Sequence, residues 1–340
     1  MNLRRNRRGH RTLAALLGAL LGGCATTGAS ARPGPELYQK MQQASVEILR
    51  RGRHAGSGWY ASPDGLVVTA AHIVGADHSG TAILHADGSR APATVVAYDL
   101  GHDLVLLRGP KSAKPVAFLK TAQRMPPPTS RIYVFGSALF RHQLLLPGTV
   151  ARAEAAFEYL PQTEHYIECF HVTSAVQKGT SGAPWVNADG QVVGLQSGMM
   201  VSGNAAAGIA FVTPAQAIAR LVATRRSART PSLGLATDEL WEHSVEHIAR
   251  FPKGAAGVVP VRARKGSAAK AAGLSANTLI THVDGQAVPY RDLYHRRVRA
   301  RRVGEQVTLT VLDADKPQSR RVRLPLMELE PAVPRPAAAP

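Results

Sequence analysis

Three short motifs carry a histidine, an aspartate and a serine in that order, each beside an apolar strand or within a glycine turn. His72 ends the motif TAAH, Asp103 precedes the run LVLL, and Ser181 lies in the motif GTSGAP. A serine hydroxyl becomes a useful nucleophile when an imidazole accepts its proton and a carboxylate orients that imidazole. The sequence therefore predicts a fold rich in strands that brings these three residues together as a catalytic triad.

The glycines around Ser181 bear on how a developing negative charge would be held. They let the backbone turn sharply, so that the amides of Gly179 and Ser181 can point together at an oxyanion. Asp99 is the alternative to Asp103 as the orienting carboxylate. Because no apolar strand follows Asp99 directly, we interpret it as a surface turn residue. Three other histidines lack comparable surroundings and are expected to be solvated: His54, His78 and His102.

Further motifs in this region resemble one family. The tripeptide GSG at 56–58, the run GQVVGL at 190–195 and the run GIAFVTP at 208–214 accompany the three motifs above. Together they resemble the HtrA or Deg serine proteases across residues 45–222. The resemblance implies a mostly β fold, with a trypsin-like double six-stranded β-barrel followed by a smaller α/β PDZ domain. Thr180 and Ala183 replace the usual asparagine and second glycine of the family, and the Ala183 methyl would narrow the site.

The resemblance also implies an activity. It indicates an extracytoplasmic serine endopeptidase that hydrolyses peptide bonds of misfolded or signalling envelope proteins, without a metal or organic cofactor. The alternative is a catalytically resting or idle peptide-binding, chaperone-like envelope lipoprotein whose protease loops are misaligned. Members of this family are commonly trimeric, so a homotrimer is one expected assembly.

Positions near the nucleophile predict the specificity (S1) pocket. In the trypsin-like fold the residue six before the serine lies at the pocket base, and here it is Ala175. Because this floor is not acidic, we expect no preference for lysine or arginine in the substrate. Gln196, Ser197 and Gly198 would contribute to the wall and favour small or medium apolar side chains.

The N-terminus has the anatomy of a secretory signal. Five arginines precede the apolar run 13–21, which is too short to span a bilayer, and the run leads into Leu-Gly-Gly-Cys24. This site resembles the bacterial lipobox, so residues 1–23 are interpreted as a lipoprotein signal peptide and Cys24 as the diacylglyceryl-modified first residue. An ordinary cleavable signal with an incidental cysteine is the alternative. By resemblance, Ala25 after the cysteine favours the outer membrane, facing the periplasm.

The chain is strongly basic, with a formal net charge of +18. Loss of the signal and its five arginines would leave about +13. Such a charge suits nucleic acid, anionic lipid or acidic polypeptide. Since an exported chain rarely meets nucleic acid, we expect anionic envelope surfaces and acidic peptides, or a charge that serves solubility alone. Cys169 has no partner if Cys24 is acylated, and is interpreted as a buried small hydrophobe.

Composition divides the chain beyond the signal. Residues 24–34 are small and polar, as in a tether. Residues 35–223 form the predicted protease domain, which begins with a short helix. An arginine-rich linker, 224–231, leads to a PDZ-like domain at 232–330, and the Pro/Ala-rich tail 331–340 is expected to be disordered.

The second domain resembles the circularly permuted PDZ domain of the same family. A strand near 257–261, a small-residue helix ended by glycine and a strand ending in an Asp-Gly turn form a coherent order. The resemblance makes Leu233, Gly234 and Leu235 the loop that binds a peptide's terminal carboxylate, while a strand edge pairs with the peptide backbone. An unrelated small α/β module is the alternative.

A basic helix is predicted within residues 290–302, beside the peptide groove. Its arginines either line the groove, favouring acidic peptide termini or phosphate-bearing lipid, or form a solvated outer face. They are Arg296, Arg297, Arg299, Arg301 and Arg302.

Overall fold

The computed structural model describes residues 34–109, 115–316 and 318–331. The interpreted signal peptide, Cys24, nearly all of the tether and nearly all of the tail lie outside these residues. Helix α1 (Pro35–Ala44) opens the described chain and buries Leu37 and Met41, four residues apart on one face. No helix in the described part of the chain is long and apolar enough to cross a membrane.

The first barrel follows α1. Its elements are β1 (Ser45–Arg50), β2 (Arg53–Tyr60), β3 (Leu66–Ala70), α2 (Ala71–Val74), β4 (Thr81–Leu84), β5 (Arg90–Pro92), β6 (Thr94–Asp99) and β7 (Leu104–Arg108). The antiparallel order is β5-β4-β1-β2-β3-β7-β6. Since only Ala93 separates the edge strands β5 and β6, they act as one bent strand, and the predicted six-stranded barrel appears as seven segments. Both faces of β3 are buried, because Leu66 and Val68 enter one core cluster and Val67 another.

The second barrel is closed in the order β10-β13-β12-β11-β8-β9. Its fully buried Trp185 lies in a core with Phe170 and Val212. Cys169 is also buried, and burial raises the pKa of its thiol well above the usual value, as expected for a packing residue. The elements are β8 (Arg131–Gly136), β9 (Leu144–Leu160), β10 (His165–Ser174), β11 (Pro184–Val186), β12 (Val192–Ser202), β13 (Ala205–Pro214) and the following helix α3 (Ala215–Thr224).

The C-terminal domain has a six-stranded sheet in which β15-β16-β17-β19-β20 are successive neighbours, β18 pairs with β17, and β15 lies at one edge. The predicted Asp-Gly turn is confirmed, since Asp284 and Gly285 both have positive φ angles and join β17 to β18. The elements are β14 (Pro231–Ser232), β15 (Leu235–Glu239), α4 (Val245–Ile248), β16 (Val258–Ala263), α5 (Ala268–Ala271), β17 (Thr278–Val283), β18 (Gln286–Ala287), α6 (Arg291–Arg299), β19 (Gln306–Asp313), β20 (Ser319–Pro325) and β21 (Met327–Glu328).

Candidate active site

Strand pairing brings His72 and Asp103 together. Strands β3 and β7 pair with Ala70 opposite Leu104, so α2 after β3 meets the residue just before β7. The His72 ring Nδ1 lies 2.7 Å from Asp103 Oδ2, and the His72 backbone N–H donates to Oδ1 at 2.8 Å. The Asp103 side chain is fully buried. Backbone and ring are thus both oriented by one carboxylate, as the sequence predicts.

The electrostatics of this pair set the role of the imidazole. Burial by itself would lower the pKa of His72, but the charge of Asp103 and its hydrogen bond outweigh burial and raise that pKa above the ordinary value. With the Nδ1 proton directed to the carboxylate, the neutral ring presents Nε2 as a proton acceptor. The pair therefore has the chemistry of a general base.

The loop that carries Ser181 packs against the first barrel. The Ser57 N–H donates to the Ser181 carbonyl at 2.8 Å. Gly182 has a φ of +84°, and a Cβ on it would lie 2.1 Å from the Ser57 carbonyl and 2.3 Å from Thr69 Oγ1. Glycine is required there. The loop thus lies against β2 and β3, and β3 is the strand that leads to His72. Within the described residues, no hydrogen bond joins the Ser181 hydroxyl to His72.

Two backbone amides of this loop are available to a ligand. The Lys178 carbonyl accepts from the Leu139 N–H at 2.8 Å, and the Gly179 carbonyl accepts from Ser57 Oγ at 3.0 Å. The N–H groups of Gly179 and Ser181 donate to no other described residue. Free, neighbouring amides beside a serine are the donors that an oxyanion needs.

The residues predicted for the S1 pocket differ in how far they are buried. Ala175 is exposed. Gln196 is buried, accepting from Trp185 Nε1 at 2.9 Å and donating to the Gly198 carbonyl at 2.6 Å. The Ser197 hydroxyl is likewise buried, 3.0 Å from that of Thr213. The side chains of Gln196 and Ser197 thus form hydrogen bonds inside the barrel. The assignment of these residues to the S1 pocket stays a prediction.

The interpretation of Asp99 as a surface residue is wrong. Its side chain is buried, accepting from His102 Nδ1 at 3.0 Å and from Arg220 at 3.1 Å. Burial raises the pKa of Asp99, but His102 and Arg220 outweigh burial and lower it overall. His54 and His102 are also largely buried rather than solvated, whereas His78 is exposed as expected.

In the C-terminal domain, the predicted carboxylate loop lines a cavity. Gly234 has a φ of +67°, and the side chains of Leu233 and Leu235 enter the core. The cavity, about 350 Å³, lies between this loop, helix α6 and the turn joining β9 to β10. Arg299 lines it, while Arg296, Arg297, Arg301 and Arg302 are exposed. Contact of the other four arginines with a bound peptide therefore stays a prediction, and their exposure also fits the alternative of a solvated outer face.

The free edge of β15 is occupied by the second barrel. The hydroxyl of Tyr166, in β10, donates to the Thr237 carbonyl at 2.5 Å and accepts from the Thr237 N–H at 3.0 Å. Arg299 donates to the Tyr166 carbonyl at 2.7 Å, and the His295 ring lies 3.9 Å from the Tyr166 ring. One tyrosine thus satisfies the backbone groups with which an added peptide strand would pair. Sequence reasoning missed this contact.

Comparisons with known proteins agree with this architecture. Residues 56–195 match the family described as "Trypsin-like peptidase domain". The fold of the chain is similar to the HtrA-type protease AlgW with decapeptide, with a TM-score of 0.62 and 17% identity over 87% of this chain and 99% of that one. A serine endoprotease from Yersinia pestis is also similar, with a TM-score of 0.57 and 17% identity over 88% and 100% of the two chains.

Relatives narrow the class. A Synechocystis sp. protein named as serine protease HhoB is 26% identical over 80% of this chain and 67% of its own. Serine protease HTRA1 of Xenopus laevis is 26% identical, covering 69% and 52%. A Rhizobium meliloti protein named as a periplasmic DegP-like serine endoprotease is 25% identical, covering 84% and 56%. The chain is similar to these HtrA- and DegP-type serine proteases, and it spans about half to two thirds of their length.

Proposed function

We propose that this chain is an extracytoplasmic serine endopeptidase that hydrolyses peptide bonds of misfolded or signalling envelope proteins. The observation that carries the proposal is the buried Asp103–His72 pair beside a serine loop whose Gly179 and Ser181 amides are free. The similarity to serine proteases over more than two thirds of the chain supports it.

The residues divide the chemistry among them. His72 Nε2 takes the proton from Ser181 Oγ as that oxygen attacks the scissile carbonyl carbon. The carbonyl oxygen becomes an oxyanion held by the amides of Gly179 and Ser181. The C–N bond then breaks, and His72 returns the proton to the leaving amine. Water repeats the sequence on the acyl-enzyme, while Asp103 keeps the imidazole in the correct tautomer throughout.

The C-terminal domain is proposed to be a PDZ-like module that binds the C-termini of substrates or activators. In its loop 233–235 the Gly234 N–H donates to Ser232 Oγ at 3.0 Å, so a peptide carboxylate would replace that acceptor, while the edge of β15 would pair with the peptide backbone. In the observed arrangement Tyr166 covers that edge, so a peptide must displace the tyrosine before it can pair with β15. Peptide binding should therefore change the contact between the two domains.

A resting, peptide-binding protein is the second candidate, favoured by the covered edge of β15 and by the absence of a described hydrogen bond between Ser181 and His72. Labelling of the purified chain with a fluorophosphonate probe, with and without C-terminal peptides, separates the candidates. Labelling without peptide indicates an active endopeptidase, and labelling only with peptide indicates a switchable one. No labelling in either condition contradicts the proposed activity.

We also propose that Cys24 is diacylated and anchors the chain in the envelope, in the outer membrane facing the periplasm. The Leu-Gly-Gly-Cys motif after the apolar run and the DegP-like relative named as periplasmic support this location. Mass spectrometry of the native N-terminal peptide tests it. An unmodified Cys24, or cleavage elsewhere, contradicts the anchor.

A further inference from the structure

Strand β1 contains a buried carboxylate that the proposed mechanism leaves unused. Glu47 lies between Val46 and Ile48, both in the core of the first barrel, and is itself 8% exposed. Removing a carboxylate from water costs several kcal/mol unless hydrogen bonds and opposite charges compensate for it. An apolar residue would suit this strand better, so the partners of Glu47 identify what the charge is for.

Glu47 is bonded to both ends of one loop. Its Oε1 accepts from the Ser137 hydroxyl at 2.5 Å and lies 2.6 Å from His142 Nδ1. Ser137 directly follows β8, and His142 lies two residues before β9. Ser137 and His142, which are 90 and 95 residues from Glu47 in the sequence, thus both contact one oxygen of its carboxylate. The other oxygen, Oε2, is 4.0 Å from His54 Nε2.

The middle of this loop touches the nucleophile loop. The Leu139 N–H donates to the Lys178 carbonyl at 2.8 Å. In a trans peptide the C=O and the following N–H point in opposite directions, so this bond fixes where the Gly179 N–H points. Leu139 has a φ of +48° and a ψ of +42°, a left-handed conformation that is unfavourable for leucine. Such a conformation persists only when its surroundings hold it.

A second connection runs through Ser57. The Ser137 N–H donates to Ser57 Oγ at 3.1 Å, and that hydroxyl donates to the Gly179 carbonyl. Gly179 and Ser137 are in close contact, because a Cβ on Gly179 would lie 2.2 Å from the Ser137 carbonyl. Both peptide groups of Gly179 are therefore held by the segment to which Glu47 is bonded.

We propose that Glu47 is a positioning residue for the oxyanion hole, whose carboxylate ties Ser137 to His142 and thereby aims the Gly179 N–H. The role rests on the proposed peptidase function. Glu47 acts through the loop and does not touch the substrate. Deleting one oxyanion donor slows catalysis about 10²–10³-fold, so misdirecting one should cost about 10–100-fold.

Two histidines face this carboxylate, His54 from β2 and His142 from the loop. Glu47 and His142 also line a cavity of about 320 Å³, together with a third histidine, His85. Burial lowers the pKa of His54, although Glu47 partly offsets this.

The test compares Glu47→Gln with Glu154→Gln, a matched change at an exposed residue of β9 that has no ion pair or side-chain hydrogen bond among the described residues. For Glu47→Gln we expect kcat and the rate of fluorophosphonate labelling to fall about 10–100-fold, with KM within twofold. Glu154→Gln should match the wild type. Wild-type kcat in Glu47→Gln overturns the proposal.

Two further measurements keep the proposal testable. If Glu47→Gln does not fold, His142→Gln decides, because this side chain is 68% exposed, and His78→Gln is its control. Unchanged kcat in His142→Gln then overturns the proposal. Hydrogen exchange of the Leu139 amide can be measured whether or not the protein is active. It should be at least about tenfold faster in Glu47→Gln and in His142→Gln than in the wild type. Unchanged exchange contradicts the role of Glu47, whereas an inert wild type contradicts only the peptidase function.

Discussion

The cleft between the two barrels and the interface with the C-terminal domain hold their polar groups in different ways. In the cleft, strand pairing and glycine turns place the groups, and His72 and Asp103 meet because β3 pairs with β7. At the interface, side chains from distant segments place one another, as Tyr166 does with Thr237. The geometry of the cleft therefore depends on strand pairing, whereas that of the interface depends on contacts of individual side chains, which single substitutions can test.

The largest expected effect is in the cleft. Asp103→Asn should lower kcat about 10⁴-fold with little change in folding, because an amide cannot hold the required His72 tautomer. Asp99→Asn is the matched control, since Asp99 bonds His102 and Arg220 instead. It should lower stability by about 1–3 kcal/mol and leave kcat within tenfold. Peptidase assays and urea unfolding of both variants check this, and a larger kcat loss in Asp99→Asn would reverse the assignment.

At the interface, Tyr166→Phe should strengthen peptide binding. The change frees the Thr237 N–H and carbonyl, and two hydrogen bonds of about 1 kcal/mol each correspond to about 3–30-fold in affinity. Calorimetry with a free-acid C-terminal peptide measures it. Tyr290→Phe is the control, because the Tyr290 side chain is exposed and its hydroxyl bonds no described residue. Equal affinities for Tyr166→Phe and wild type would mean that the tyrosine does not compete with peptide.

The interface should also weaken in acid. Burial, reinforced by the charges of Arg299 and Arg291, holds the pKa of His295 well below its ordinary value. The unfolded chain therefore binds this proton more readily, so the contribution of neutral His295 is complete above about pH 6.5 and is lost as pH falls below it, by up to about 1.4 kcal/mol per pH unit. His295→Gln should flatten this part of the pH dependence in urea unfolding. His78→Gln should not, and identical slopes in all three proteins would contradict the assignment.

The smallest effect concerns the arginines of α6. Arg299 lines the cavity beside the carboxylate loop, whereas Arg297 is exposed on the same helix. Arg299→Gln should weaken binding of an acidic C-terminal peptide a few-fold, and less so at high salt, since charge pairs near the surface contribute about 0.2–1 kcal/mol. Arg297→Gln should change affinity less than twofold. A larger loss in Arg297→Gln would place the peptide on the outer face. Amidating the peptide should cost more than either substitution.

The sequence is sufficient where local motifs determine the structure. The strand before His72, the left-handed turn at Asp284-Gly285 and burial of Cys169 follow from patterns a few residues long. The candidate triad and the free loop amides were predictable in the same way. Each depends on strand ends and glycines that can be recognised from the local sequence.

Contacts between distant segments were not predictable. Asp99 looks like a turn residue until α3 brings Arg220, 121 residues away, against it. Glu47 looks like an isolated charge in an apolar strand until His142 meets it from 95 residues away. These pairings depend on barrel closure and side-chain packing, which one-dimensional periodicity does not contain.

Ser181 is proposed to be the nucleophile of a peptidase, and the roles assigned to His72, Asp103 and the loop amides depend on it. The most direct measurement is cleavage of casein by the purified wild type, by Ser181→Ala and by Ser202→Ala, an exposed serine on β12. If peptide activation is needed, all three receive the same C-terminal peptide. Ser181→Ala should lose about 10⁴-fold or more of the rate while keeping the wild-type melting temperature, and Ser202→Ala should cleave like the wild type. Cleavage by pure Ser181→Ala at the wild-type rate would contradict the account.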